Sequence, residues 1–183
     1  MSGDVEMNPS DKPLAVNDRY DVSIDVQKSI LQMCWAQHDG QWFLKSKKRL
    51  GVEQANELNQ EVLLSMARIE ARHVLNALGI DKEAVKTIPD LFKVINTFLH
   101  VLVPEVMEFK MVPLSQHEGV GIVEKCYVWE AVKQSKGESE YTCACSIRHR
   151  GWLDAIGVSD KIVPVRRIPD GDDICEFRFT MEK

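Results

Sequence analysis

The sequence predicts an α+β fold with N-terminal helices packed on an antiparallel sheet, in the order ααα(α)-ββ-α(α)-ββ. Three observations carry this reading. Apolar residues recur at helical spacing through residues 23–103. After Pro104 the period falls to two, as in half-buried strands. Near the C-terminus Pro169-Asp170-Gly171-Asp172 separates two short β-rich runs, a strong hairpin signal. Runs of helix followed by runs of paired strands belong to the α+β class.

Taken in order, residues 1–22 are polar, hold Pro9 and Pro13, and show no period, which predicts a disordered tail. Residues 23–183 are then one α+β domain, with a helical part over 23–103 and a sheet-containing part over 104–183. Ser23 can cap a helix whose stripe is Ile24, Leu31, Cys34, Trp35 and His38. The Asp39-Gly40 pair interrupts that stripe, giving either a sharp turn or a re-capped helix through Trp42, Phe43 and Leu50, with Gly51 as its stop. A long helix over 52–78 places Ala55, Leu58, Val62, Met66, Ile69 and His73 on one face, and Gly79 ends it. A shorter helix covers about 89–101. Strands are expected near 106–112 and 120–126, turning at His117-Glu118-Gly119. Residues 127–134 fit a short helix slightly better than a continued strand. A helix over 140–156 and strands over 162–168 and 174–181 complete the chain.

Composition bounds the function. Among 183 residues, 28% are charged and 44% hydrophobic, the usage of an ordinary globular chain. A net charge of −5 gives no general attraction to phosphate backbones, so a nucleic-acid partner is not expected. The dense basic run Lys45-Ser46-Lys47-Lys48-Arg49 fits the last turn of a helix, where cations are favoured. No apolar run reaches the length of a membrane span, and the N-terminus lacks a signal-peptide core. Five cysteines, an odd number, then fit reduced thiols in a cytoplasm.

Two features could carry chemistry. In Trp35-Ala36-Gln37-His38-Asp39-Gly40-Gln41-Trp42 two indoles can wall a pocket while His38 supplies a proton donor or a metal lone pair. Asp39 could orient that imidazole or cap the next helix; the plainer reading is a helix–turn–helix corner. The second feature is the series Cys126, Cys143, Cys145 and Cys175. On a helix Cys143 and Cys145 would face different ways, and His149 would share a face with Cys145 as a base. Buried small hydrophobes are the plainer reading for at least two of the four. Glu70 and His73 form one Glu-x-x-His half-site of the kind helical metal centres use in pairs. His38, Glu70 and His73 are therefore the metal candidates, for a transition metal such as zinc.

The ending Gly171-Asp172-Asp173-Ile174-Cys175-Glu176-Phe177-Arg178-Phe179, with the run from Val106 through Cys126 and Cys143/Cys145, resembles two related groups. One is the L-2-amino-thiazoline-4-carboxylic acid hydrolase family, the other the 4-vinyl reductase domain, a small-molecule-binding module. The Trp-x-x-His-Asp-Gly-x-Trp motif is similar to a set of uncharacterised prokaryotic proteins. The resemblance implies a sheet backed by helices around a ligand cavity, often in a homodimer, with Cys126, Cys145 and Cys175 near the cavity. The expected function is a cytosolic small-molecule-binding protein, with ligand contacts from Trp35, Trp42, His73, Cys126 and Cys175. The alternative is a hydrolase opening a small cyclic or amide C–N bond, with His38, Asp39 and Cys145 catalytic.

Overall fold

The computed structural model describes residues 20–158 and 162–181, so the expected tail over 1–22 lies almost wholly outside the described residues. Two long helices open the fold. Helix α1 runs Ile24–Leu50, capped by Ser23, whose hydroxyl accepts from the Val26 amide. Asp25 sits in its first turn and Lys47, Lys48 and Arg49 in its last, the arrangement the helix dipole favours. Gly51, at φ 88°, turns the chain into α2, Val52–Leu78. Gly79 stops α2 in the left-handed region. Helix α3, Ile88–Leu102, starts in a reciprocal cap between Thr87 and Asp90 and buries Ile88, Leu91, Phe92, Ile95 and Phe98.

The sheet follows. Strands β1 (Glu108–Pro113), β2 (Glu118–Lys125), β3 (Ile162–Arg166) and β4 (Cys175–Thr180) lie in the order β1-β2-β4-β3, every neighbouring pair antiparallel. Between β2 and β3 stand α4, Tyr127–Gln134, and α5, Cys145–Ile156. The expected α+β architecture is therefore the observed one. Inward residues Val123 of β2 and Cys175, Phe177 and Phe179 of β4 meet Phe92 and Phe98 of α3 and Trp152 of α5 in one core. Helices α2 and α5 approach so closely that a methyl group at Gly151 would lie 2.6 Å from the Ala67 Cβ and 2.9 Å from the Leu64 carbonyl oxygen.

Four local expectations are corrected. No turn or re-capping occurs at Asp39-Gly40; α1 is continuous through both. A single mid-helix glycine costs only about 1 kcal/mol, which a helix anchored on both sides absorbs. The stripe expected to face inward is largely outward: Ile24 is 81% and Leu31 69% exposed, and Cys34 and His38 are exposed. Instead α1 buries Gln32, whose amide donates to the carbonyls of His100 and Val101 at the end of α3, and Phe43. The hairpin turn precedes the predicted one, since Glu118 and Gly119 already pair with Thr180 and Phe179. Finally, α5 begins only at Cys145, because Gly137-to-Tyr141 forms a turn in which the Gly137 carbonyl accepts from the Glu140 and Tyr141 amides. Cys143 is thus not helical.

Candidate functional site

The middle of α1, the inner faces of α2 and α5, the end of α3 and the short α4 surround a cavity of about 360 Å³. That volume falls within the roughly 300–1,000 Å³ of small-molecule sites. Most of the wall is apolar: Trp35, Phe43, Leu63, Leu102, Phe109 and Val123. The Phe43 ring meets Tyr141 edge-on, with centroids 5.1 Å apart. Burial pushes the Tyr141 phenol up, so it stays protonated.

A charged set stands where α2 meets α5. Glu70 of α2 is only 7% exposed. Its carboxylate accepts from Arg148 Nε at 3.2 Å and Nη2 at 2.5 Å, and from Trp152 Nε1 at 3.0 Å. Arg148, His149 and Trp152, all on α5, line the cavity, as does Asp39 from α1. Burial raises the Asp39 carboxyl above its ordinary value, and the Arg148 charge opposes that rise. His149 is buried against Trp152 and Phe177, with centroids 5.4 and 5.1 Å away. Burial and the Arg148 charge lower its pKa to about 4, so the imidazole is neutral near pH 7.

The cysteines Cys126, Cys143, Cys145 and Cys175 all line this cavity. Cys126, Cys145 and Cys175 are not poised as nucleophiles. Burial pushes the Cys126 thiol up to about 11 and raises Cys145 and Cys175 as well. The sulfur of Cys126 accepts the Trp129 amide and caps α4, while that of Cys175 accepts the Ile168 amide. His149 carries too low a pKa to take a thiol proton efficiently.

The residues expected from sequence separate into two groups. Trp35, Asp39, Cys126, Cys145 and Cys175 are brought together at the cavity wall. His38, Trp42 and His73 are not among its lining residues. The His38 side chain is 68% exposed; it stacks on Trp35 with centroids 5.9 Å apart, and its Nδ1 stands 3.9 Å from Asp39, beyond hydrogen-bond reach. His73 is exposed on the outer side of α2. The metal expectation for His38, Glu70 and His73 is overturned. Among the described residues no group of three or more His, Cys, Asp or Glu side chains could hold a metal ion. Physically, Glu70 turns to α5, where three donors saturate it, while His38 and His73 lie at the surface. Sequence reading missed Arg148 and Trp129 as wall residues. The signal available was the Arg148/Trp152 pair at i, i+4 on the helix that starts at Cys145.

Comparison with known proteins places the chain at family level. Residues 18–155 match the sequence profile described as "Family of unknown function (DUF6125)". The chain belongs to that family. No curated protein matches the sequence. Among solved structures, a trafficking protein particle complex subunit 3 from Naegleria fowleri, covalently bound to palmitic acid, is similar with a TM-score of 0.53 at 14% identity. The match covers 87% of this chain and 97% of that chain, and it shows a shared fold. No helix among the described residues is long and apolar enough to cross a membrane.

Proposed function

We propose that this family member is a binding protein for a small, mainly apolar molecule held between α1, α2 and α5. The single observation that carries the reading is the cavity of about 360 Å³, walled mainly by aromatic and aliphatic side chains with a few polar groups among them. The resemblance to a small-molecule-binding module agrees in kind. So does the structurally similar trafficking subunit, which is covalently bound to palmitic acid. A hydrolytic role finds less support, because burial keeps the Cys126 and Cys145 thiols protonated and His38 faces solvent.

Three tryptophans, Trp35, Trp129 and Trp152, line the cavity and report on it directly. Titration with the neutral probe N-phenylnaphthylamine is expected to give saturable energy transfer from these indoles. Leu63→Trp, which fills the wall from α2, is expected to weaken it at least tenfold. Absence of saturable binding to the folded wild-type chain would overturn the proposal.

A further inference from the structure

We infer that the inner end of the cavity receives one uncharged hydrogen-bonding group of the ligand, a hydroxyl or an amide, on the imidazole of His149. The inference rests on the binding reading above and names the ligand class: an amphiphile with an apolar body and a neutral polar head.

The starting point is an unsatisfied group. His149 lines the cavity and is 4% exposed, and its Nδ1 has no hydrogen-bond partner among the described residues. Buried polar atoms in folded proteins are paired almost without exception, so an orphan at a cavity wall marks the place of a missing partner. Trp152 and Phe177 flank the ring and offer it only aromatic surface. A half-turn of the ring exchanges Nδ1 with Cδ2 without changing its outline, so either edge of the ring can carry the nitrogen within the same packing.

The charges facing this end decide the head group. Arg148 of α5 is held by Glu70 of α2, and the Glu70 carboxylate is filled by two guanidinium contacts and the Trp152 N–H. Asp39 of α1 completes the set. A ligand carboxylate would meet Asp39 in a poorly hydrated space, with the Arg148 charge already committed to Glu70, and a ligand ammonium would meet Arg148. An uncharged group avoids both. A neutral imidazole donates from one nitrogen and accepts at the other, so it can serve a hydroxyl in either direction. His149 is held in that neutral form by its burial.

The test compares decanol, decyl chloride, decanoate and decylamine as competitors of N-phenylnaphthylamine on the full chain at neutral pH. Decanol is expected to bind about fivefold or more tightly than the other three, the worth of one neutral hydrogen bond. In His149→Phe the advantage of decanol over decyl chloride is expected to vanish. Nitrogen NMR of the wild-type imidazole gives a second readout that needs no variant: the His149 ring resonances should move with decanol and stay with decyl chloride. Equal binding of all four, tightest binding of decanoate or decylamine, or unmoved ring resonances would overturn this inference and leave the apolar-ligand reading standing. Binding of none of the four while N-phenylnaphthylamine still binds would overturn this inference alone, and failure of N-phenylnaphthylamine itself to bind would overturn both.

Discussion

Removal of the Glu70 carboxylate tests whether the polar end of the cavity is a coupled unit. Glu70→Leu leaves the Arg148 guanidinium and the Trp152 N–H without their shared acceptor. Breaking one side of a buried ion pair costs about 3–5 kcal/mol, because the remaining charge stays buried and unpaired. The Arg148 side chain retains 21% exposure, so solvent screening lowers the expected loss to roughly 2–4 kcal/mol. For a chain of this size each kcal/mol moves the melting temperature by about 2–4 °C, so a drop of roughly 5–15 °C is expected. The double variant Glu70→Leu/Arg148→Met removes the stranded charge as well. Only the Trp152 N–H then lacks an acceptor, and most of the loss should be recovered, to within about 1–2 kcal/mol of wild type. Urea unfolding followed by circular dichroism measures the complete cycle. A double variant no more stable than Glu70→Leu alone would refute the claim that Arg148 and Glu70 answer one another.

Further outcomes follow from the same geometry. Gly40→Ala is expected to stabilise the chain by up to about 1 kcal/mol, since the glycine lies inside α1 with no atom within 4 Å of an added methyl; a loss measured by thermal unfolding would argue for a break there. Gly151→Ala should cost about 1–3 kcal/mol by wedging α2 from α5, read as a lowered urea midpoint. His149 has a folded pKa of about 4 against an ordinary 6.5, so the unfolded chain binds more protons between those values and stability rises with pH across that window. The contribution, on the order of 3 kcal/mol, is complete above about pH 6.5 and lost as pH falls toward 4. The difference between wild type and His149→Phe unfolding curves at several pH values isolates it. Toward a maleimide, exposed Cys34 is expected to react first and buried Cys175 last, resolved by timed peptide mapping.

The elements legible in the sequence were those whose signals are local. Pro89 with its reciprocal cap, the alternation through Phe109 and Met111, and Pro169-Asp170-Gly171 each state their structure within a few residues. The stripe of α1 misled because amphipathicity tells which residues share a face, not which face meets a partner; a buried glutamine bonded to α3 holds the helix in place instead. At the site, Trp35, Asp39 and three cysteines were legible because indoles, carboxylates and thiols gathered in short motifs stand out. The metal set failed because the pairing of Glu70 with Arg148 joins positions 78 residues apart. Nothing near Glu70 in the chain distinguishes an ion-paired carboxylate from a ligating one.

The contact of Gly151 with Ala67 has a bearing on selectivity. Where two helix backbones touch, the surface above them cannot yield, so Arg148, His149 and Trp152 stand on rigid ground. Much of the rest of the chamber is built from partly exposed residues of α1 and α4, beside buried Phe43 and Trp129, and these exposed residues give way at smaller cost. A guest should accordingly be judged strictly by its head and leniently by the length of its tail.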